Sequence, residues 1–307
     1  MTIRDAALRT ALGVVGAGAV AGTALTAYAV VEARAYTLRR VTVPVLRPGS
    51  PELRVLHVSD VHMTPGQNRK QDWLRGLAGL RPDLVVNTGD NLGHADGLRG
   101  IRAAFDPLRG IPGVFVHGSN DLVAPSPRNP LRYFTGPSKM HRRVQHLDTD
   151  ALDRYLADEL GWIDLDNTAA SLTVAGVTID AFGVGDAHRN GDDLASLPPL
   201  IAALPGADLR IGVTHAPYRR VLDAFTGFDA DVVFAGHTHG GQVRVPGVGA
   251  LVANCDLPLR QARGLSEWAG NGRTAALNVS AGIGHSIYAP VRFACRPEAS
   301  FLTLLPR

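Results

Sequence analysis

The stretch Phe234–Val243, FAGHTHGGQV, decides how the rest of the chain is interpreted. It follows a buried-looking run, DVVFA, and carries two histidines, His237 and His239, with glycines on both sides. Residues i and i+2 of an extended strand point to the same face, so both imidazoles would lie on one side. Glycines at a strand end let the backbone come close to a ligand. The pattern indicates metal coordination, provided that other segments supply further ligands.

The bulk composition predicts a folded chain with a large core. The chain has 307 residues, of which 45% are hydrophobic and 19% charged, which suits one large domain or two smaller ones. The net charge of +3 is too small to indicate nucleic acid as a partner. The two cysteines, Cys255 and Cys295, are too few for a disulfide framework, and we expect buried free thiols.

An uncharged segment lies near the N-terminus, at residues 11–31 (ALGVVGAGAVAGTALTAYAVV). About 20 apolar residues span a bilayer as a helix, so we expect residues 1–36 to form a single-pass anchor in the cell membrane. The alternative is an export signal cleaved after Ala27-Tyr28-Ala29, which has the small-x-small pattern of a cleavage site. Basic residues flank the segment on both sides and leave its orientation open.

The rest of the chain alternates between apolar runs and helix-like stretches. Residues 37–52 are expected to be a linker and residues 53–307 an α/β domain. Strands are predicted at 53–59, 83–89, 113–118, 177–184, 209–215, 231–237 and 274–280, with short strands around 242–252 and 299–305. Helices are predicted at 69–80, 97–108, 148–160, 190–203 and 217–226. Residues 123–148 are rich in proline and arginine, and they are expected to form either a solvated loop or a cap whose Arg128 binds an anionic substrate.

Side chains suited to metal binding follow five of the predicted strands. They are Asp60 and His62, Asp90, Asn120, His215, and His237 with His239. Ligands in open α/β sheets bind beyond the carboxyl ends of the strands, so we expect these side chains to converge. Carboxylate, imidazole and amide ligands suit Mn, Fe, Zn or Mg rather than a cysteine-rich structural zinc site.

The order of these blocks, D-x-H, G-D, a Gly-Asn block, H and G-H-x-H, resembles that of the calcineurin-like metallophosphoesterases. The stretch from Gly236 to Pro246, GHTHGGQ followed by proline, is similar to the bacterial membrane-associated branch of that family. The resemblance covers residues 54 to about 305. It implies two packed mixed β-sheets flanked by helices, a four-layer sandwich, with two divalent metal ions at the sheet edge.

The resemblance also implies a role for each ligand. Asp60, His62 and His239 would hold the first ion, and Asn120, His215 and His237 the second, with Asp90 shared by both. Two ions about 3.5–4 Å apart would hold a bridging hydroxide that attacks phosphorus. The expected activity is hydrolysis of a phosphodiester or pyrophosphate in a lipid, nucleotide or envelope precursor.

One block departs from the family pattern Gly-Asn-His-Asp/Glu, since it has the sequence Gly118-Ser119-Asn120-Asp121. We favour the alignment in which Asn120 is the ligand and Asp121 stands where the histidine that assists the leaving group usually lies. In the other alignment Ser119 is the ligand and Asn120 replaces the histidine. An ionised Asp121 cannot donate a proton, so His94 or His117 is a candidate to do so.

Three further residues are expected to face the substrate, namely Gln242, His285 and Arg128. His188 has no evident partner in the sequence and is expected in solvent. Two other functions stay open, a phosphomonoesterase or protein phosphatase, and a non-catalytic binding or scaffold protein on a degenerate phosphoesterase fold. The altered block at 118–121 supports the second of these, and the complete ligand set argues against it.

Overall fold

The computed structural model describes residues 20–126 and 145–307, which form strands and short helices in alternation. The strands are β1 (Thr37–Leu46), β2 (Leu53–Val58), β3 (Leu84–Asn87), β4 (Gly113–Phe115), β5 (Ile163–Asp164), β6 (Thr168–Val174), β7 (Val177–Val184), β8 (Leu209–Thr214), β9 (Val232–Ala235), β10 (Arg244–Val245), β11 (Gly249–Ala250), β12 (Gly264–Gly270), β13 (Arg273–Val279) and β14 (Glu298–Pro306). The helices are α1 (20–32), α2 (Asn68–Gly76), α3 (Leu98–Phe105), α4 (Ser119–Leu122), α5 (Thr149–Asp153), α6 (Leu197–Ala202) and α7 (Arg219–Gly227). A π-helical turn, Arg154–Glu159, extends α5, and 3₁₀ turns lie at Leu77–Leu80, Asp106–Leu108, Ala187–Arg189, His239–Gly241 and Leu259–Gln261.

Two six-stranded sheets form the centre of the molecule. Sheet 1 has the order β1-β14-β2-β3-β4-β5, and sheet 2 has the order β12-β13-β9-β8-β7-β6. Both are mixed. In sheet 1, β14 runs antiparallel to β2, while β2, β3, β4 and β5 are parallel. In sheet 2, β13, β9, β8 and β7 are parallel and both edge strands are antiparallel. The parallel strands of each sheet therefore end at a common edge.

Apolar side chains are buried in three layers. Valine and isoleucine side chains of both sheets, such as Val55 and Ile211, pack between the sheets. Phe105 and Tyr155 belong to the layer between sheet 1 and the helices α2, α3 and α5. Phe225 belongs to the layer between sheet 2 and the helices α6 and α7. The structure confirms the predicted α/β fold of two mixed sheets flanked by helices.

The strands missed by the sequence analysis are edge strands. Residues 37–46 of the expected linker are β1, which pairs with β14 over nearly its whole length. The signal in the sequence is the alternation of Val41, Val43 and Val45, but arginines and Pro44 interrupt it. Strands β6 and β12 were also missed, because half-exposed edge strands carry mixed polar sequences.

Two predicted features lie wholly or partly outside the described residues. Residues 1–19 of the expected anchor and residues 127–144 of the basic insertion, including Arg128, belong to this group. Within 20–126 and 145–307, we find no helix that is both long and apolar enough to cross a membrane. The flanks of the insertion meet, since the Ala124 N–H donates to the Gln145 carbonyl at 2.8 Å.

Candidate metal centre

The predicted ligands lie on the turns that follow five strands, and these turns meet where the two sheets adjoin. The turn after β2 is tied to the turn after β3, because the Asp60 and His62 N–H groups donate to the carbonyls of Gly89 and Asp90, both at 2.9 Å. The two sheets are linked at the same place, where the His237 N–H donates to the Asp60 carboxylate at 3.0 Å.

Five of the ligand residues have left-handed backbone conformations. The φ angles are 49° at Asp60, 44° at His62, 55° at Asp90, 66° at His237 and 49° at His239. A non-glycine residue in this region costs on the order of 1–3 kcal/mol, and such residues persist where the surrounding structure holds them for function. The concentration of strain at these five positions marks this turn cluster as the functional site.

The first half of the centre consists of Asp60, His62 and His239. The Nε2 atoms of His62 and His239 face each other at 3.2 Å. The Asp60 Oδ1 atom lies 3.6 Å from His239 Nε2. One ligand atom from each residue lies within 4.8 Å of the others, which is close enough to share one cation.

The second half consists of Asn120, His215 and His237. His215 Nε2 lies 3.3 Å from His237 Nδ1, and the Asn120 amide lies 2.7 Å from Asp90 Oδ2. Asp90 stands between the halves, because its Oδ2 atom is 3.5 Å from His62 Nε2 and 3.6 Å from His215 Nε2. Its position matches that of a carboxylate shared by two cations.

The imidazoles of the two halves are oriented differently. In the second half, His215 Nδ1 lies 2.7 Å from the Thr88 carbonyl and His237 Nε2 lies 3.2 Å from the Asn254 carbonyl. A donated N–H at these atoms leaves the other ring nitrogen free to bind a cation, as is usual for metal-binding histidines. In the first half, His62 Nδ1 is buried without a hydrogen-bond partner in the described chain, and His239 Nδ1 faces the Arg292 guanidinium at 3.3 Å.

The surroundings keep most of these imidazoles neutral. Burial lowers the pKa of His62 to about 4 and holds the pKa values of His237 and His239 well below the usual range. Burial also disfavours the charged form of His215, but the carboxylates around it, Asp90 first, outweigh burial and raise its pKa to about 9. Neutral imidazole is the form that binds metal ions.

The two carboxylates have opposite pKa shifts. Burial raises the pKa of Asp60 to about 6. Burial acts in the same direction on Asp90, but His215, His62 and the hydrogen bonds from Asn120 outweigh it and lower its pKa to about 2. Two carboxylates beside buried imidazoles, most of them neutral, form a donor set that suits divalent cations of the Mn, Fe or Zn type.

Comparison with known proteins agrees with the family that the sequence motifs resemble. A sequence profile of the calcineurin-like phosphoesterases matches residues 53–241, well over half of the chain. The chain belongs to the calcineurin-like phosphoesterase family. Members of this family bind divalent metal ions, which agrees with the clusters described above.

Several proteins are similar to this phosphoesterase chain. An uncharacterised protein of Bacillus subtilis strain 168, YpbG, is 26% identical over 303 residues, covering 97% of this chain and 98% of its own. Similar solved structures include a 5'-nucleotidase precursor from Thermus thermophilus (14% identity, 83% of this chain, 54% of that chain, TM-score 0.47). Another is the NAD nucleotidase of Haemophilus influenzae (15% identity, 76% of this chain, 46% of that chain, TM-score 0.40).

In the altered block, Asn120 and Asp121 have different contacts. Asn120 contacts the shared carboxylate twice, because its backbone N–H also donates to Asp90 Oδ1 at 2.8 Å. Asp121 is fully buried and accepts from the backbone N–H groups of Asp90, Asn91, Leu92 and Gly118 at 2.7–3.2 Å. Burial raises the pKa of Asp121 to about 6, which still leaves it ionised at neutral pH.

Asp121 therefore does not fit the catalytic place that the sequence suggested for it. Both of its oxygens accept hydrogen bonds from the turns that carry Asp90 and Gly118, so neither is directed at a leaving group. The physical reason is that Asp121, the third residue of helix α4, reaches back to the N–H of the N-cap residue Gly118, and that the N–H groups of the turn 90–92 need the same acceptor.

The two histidines proposed as proton donors contact residues other than the predicted metal ligands. His117 is buried between two carboxylates, with Nε2 2.7 Å from Asp153 and Nδ1 2.9 Å from Asp166. His94 is exposed, and its Nδ1 accepts from the Asp96 N–H at 3.0 Å. Neither geometry supports the catalytic role that the sequence suggested, since both ring nitrogens of His117 are occupied and His94 turns back on its own loop.

The residues expected to face the substrate do not form one group in the structure. The Gln242 amide donates to the carbonyls of Ala289 and Val291 at 2.9 and 3.0 Å, so it fastens a loop instead of pointing into the cleft. Burial lowers the pKa of His285 to about 4, and the nearby His62 acts in the same direction. The adjacent Gly284 N–H donates to the Asp60 carbonyl at 2.6 Å, so His285 borders the first half of the centre. Arg128 belongs to the residues that the structure does not describe.

Glycines of the motifs allow the ligands to approach one another. A Cβ atom on Gly236 would collide with the Ser59 hydroxyl and the Asp60 carboxylate. One on Gly118 would collide with the Asp90 carboxylate and the His215 ring. These two glycines precede the second-half ligands in sequence and leave the space in which the strand ends meet.

The sequence analysis missed the groups that surround the two halves. Behind the first half, the buried Lys70 ammonium donates to the carbonyls of Val61 and His62 at 2.7 and 3.3 Å. Burial lowers its pKa to about 7. Arg292 is fully buried and donates to the carbonyls of Ala281 and Gly284, both at 2.7 Å. A charged residue inside the apolar stretch APVRFAC was the signal in the sequence.

Different groups surround the second half. Asp186 is buried, burial raises its pKa, and it is among the carboxylates that raise the pKa of His215. The His188 ring lies over His237 with centroids 4.4 Å apart, and its Nδ1 is 3.1 Å from the Tyr218 hydroxyl. His188 is therefore part of the site, contrary to the expectation that it lies in solvent, because the turn after β7 folds back over β9.

Proposed function

We propose that the protein is a dinuclear metal-dependent hydrolase that cleaves a phosphodiester or pyrophosphate bond. The observation that supports this most directly is the position of Asp90, whose Oδ2 atom lies 3.5 Å from His62 Nε2 and 3.6 Å from His215 Nε2. One carboxylate oxygen between two sets of imidazoles is the arrangement that two neighbouring cations require.

The residues of each half would hold one ion. Asp60, His62 and His239 would hold the first, and Asn120, His215 and His237 the second. Bound divalent ions would polarise the phosphoryl oxygens and acidify a water molecule. The contribution of the chain is to fix the ligands, since the strained turns and the hydrogen bonds to Asp90 hold the donor atoms in place before the substrate binds.

The groups near the altered block favour a substrate with an acidic leaving group. The Asn120 amide can donate a hydrogen bond but cannot transfer a proton. Asp121 is engaged with backbone N–H groups, and His117 with two carboxylates. A leaving phosphate or an acidic alcohol needs no protonation, whereas an alkoxide does. This supports a pyrophosphate or an activated diester over a simple alkyl monoester.

Hydrolysis of model substrates by the full chain with added Mn²⁺ tests the proposal. We expect bis-p-nitrophenyl phosphate to be cleaved faster than p-nitrophenyl phosphate. We expect Asp90→Asn to lose both ions and at least about 10³-fold in rate, because the shared ligand is removed. The matched control is Asp96→Asn, which changes an exposed carboxylate of the same loop and should retain wild-type rate.

Three results would contradict parts of the proposal. Full activity of Asp90→Asn would reject the shared carboxylate. A clear preference for the monoester would favour a phosphomonoesterase or protein phosphatase. Two bound ions with no hydrolysis of either ester or of inorganic pyrophosphate would favour a binding or scaffold protein on this fold.

A further inference from the structure

The helix α1 has an uncharged surface that the described part of the chain leaves uncovered. Residues 20–28 are all exposed and none is charged, and Val20 and Val31 are 71% and 66% exposed. A helix without a polar face is stable when an apolar phase or partner surrounds it, and it gains little from water. The surface of α1 therefore requires an apolar environment.

The C-terminal end of α1 is fixed to the body of the protein. The Ala29 carbonyl accepts a backbone N–H from the segment 292–295 at 3.0 Å. The Glu32 carboxylate accepts two more N–H groups of that segment, at 2.9 and 3.0 Å. The Tyr28 ring lies edge-on to Phe293 with centroids 5.6 Å apart. The direction in which α1 leaves the body is thus determined by the fold.

A second uncharged projection adjoins the same segment. The Phe293 N–H donates to the Gln242 carbonyl at 3.1 Å, and the Arg244 N–H donates to the Phe293 carbonyl at 2.9 Å. These bonds lead directly into the β10–β11 hairpin, whose tip at 245–248 has the sequence VPGV. Val248 at this tip is 75% exposed. Pro246 and Gly247 form the tight turn at this tip, and the valines on either side of them leave the tip apolar.

A third element completes the surface. The Gln242 amide fastens the loop 286–290 by its bonds to the carbonyls of Ala289 and Val291, and Ile287 and Tyr288 on this loop are exposed. We propose that residues 20–31 of α1, the hairpin tip (245–248) and the loop 286–290 form one docking face that lies against a phospholipid bilayer. Tyrosine side chains favour the water–lipid boundary, where Tyr288 would then lie.

The length and charge of the flanking sequence favour a bilayer over a second copy of the chain. Residues 11–31 carry no charge, and about 20 such residues are the length of sequence that matches the hydrocarbon core of a bilayer. Arg34 and Arg296 are exposed beside the end of α1 and suit anionic headgroups. In a two-fold dimer through the same face, equal charges would approach each other.

The contacts of α1 also favour retention of this helix over its removal as an export signal. Cleavage after Ala29 would remove Tyr28 and Ala29, both of which contact the segment 292–295. The docking face adjoins His285 and the first half of the centre, but the inference does not depend on the proposed hydrolysis.

A fluorescent probe on the full chain in lipid vesicles tests the docking face. Val248→Cys would be labelled with an environment-sensitive nitrobenzoxadiazole dye in a Cys255→Ser background, which leaves only the buried Cys295. The matched control is Leu200→Cys on α6, where Leu200 is 38% exposed on the outer side of sheet 2. The vesicles would contain phosphatidylcholine and phosphatidylglycerol, with and without a spin-labelled phosphatidylcholine.

We expect the probe at 248 to shift to shorter emission wavelength and to lose at least about half of its intensity to the spin label, while the probe at 200 shows neither effect. Equal wavelength shifts and equal quenching of the two probes would overturn the proposal. A chain that does not associate with the vesicles would also overturn it. A wavelength shift at 248 that depends on protein concentration but not on the spin label would also overturn it, in favour of a second copy as the occupant. Retained Mn²⁺ binding by both labelled variants would show that they are folded.

Discussion

The two halves of the metal centre differ in the charges that lie behind their ligands. The first half has cationic groups behind it, Lys70 at the backbone of His62 and Arg292 at the ring of His239. The second half has a buried carboxylate, Asp186, which raises the pKa of His215. Its histidines also donate to backbone carbonyls, which the first-half histidines do not do in the described structure.

This difference implies unequal affinities for two chemically similar ions. Buried charges interact strongly because little water screens them. Positive charge behind the first half opposes a cation there, while the carboxylate and the oriented imidazoles support a cation in the second half. We therefore expect one tightly held ion in the second half and one exchangeable ion in the first.

Replacement of one histidine in each half should give the largest changes in metal-ion affinity. His237→Gln should weaken the tight ion by roughly 100-fold or more, since loss of a direct ligand exceeds the effect of an outer partner. His62→Gln should leave the tight ion in place and remove the weak one. Calorimetric titration with Mn²⁺ measures both affinities, and loss of the tight ion in His62→Gln but not in His237→Gln would reverse the assignment.

A change of the charge behind one half of the centre should change metal-ion affinity by an intermediate amount. Lys70→Met keeps most of the length of the side chain and removes its charge, so the weak ion should bind about tenfold more tightly, or ~1.4 kcal/mol. The matched change behind the other half is Asp186→Asn, which should weaken the tight ion by a similar factor. The same titration separates the two effects. An unchanged weak affinity in Lys70→Met would show that charge does not cause the asymmetry.

The smallest effect on metal binding is expected at His117, which belongs to neither half. Burial opposes its charged form, but the hydrogen bonds to Asp153 and Asp166 outweigh burial and raise its pKa well above the usual range. A raised pKa in the folded state stabilises the protein below the unfolded pKa of about 6.5, and the gain is lost as pH rises through the folded value. We expect His117→Gln to lower the free energy of unfolding by roughly 1–3 kcal/mol at about pH 6.

The pH dependence distinguishes this ion pair from simple packing. Denaturant unfolding of His117→Gln and the wild type should differ most at about pH 6 and progressively less at alkaline pH. A difference that is constant across this range would mean that the imidazole acts by shape alone. Mn²⁺ affinity should be the same in both proteins.

The sequence predicted the parts of the centre that follow strand ends. Asp60, Asp90 and His215 each come directly after an apolar run, so their convergence could be expected from the rules of parallel sheets. The groups behind the ligands could not be found in this way. Lys70 lies on α2 in a sequence typical of a solvent-facing helix, and only the packing of α2 on the turn after β2 places it below His62.

Other side chains have contacts that differ from the tasks that the sequence suggested for them. Gln242 and Asp121 stand in motif blocks, where sequence reasoning assigns chemistry to every polar residue. In the structure both satisfy backbone groups of tight turns, because a turn without regular pairing needs side-chain partners for its N–H and carbonyl groups. Edge strand β1 was mistaken for a linker because its pairing with β14 joins residues at opposite ends of the chain.

The contact between Glu32 and the segment 292–295 has a practical consequence for anyone who shortens the chain to improve its solubility. A fragment that starts at residue 33 or later lacks the Glu32 carboxylate, which accepts the N–H groups of Ala294 and Cys295. The segment that carries Arg292 would then be held less firmly, and so would the contact of Arg292 with the His239 ring. Trimming beyond Glu32 would therefore disturb the position of His239, a ligand of the first half, and the cut belongs upstream of that glutamate.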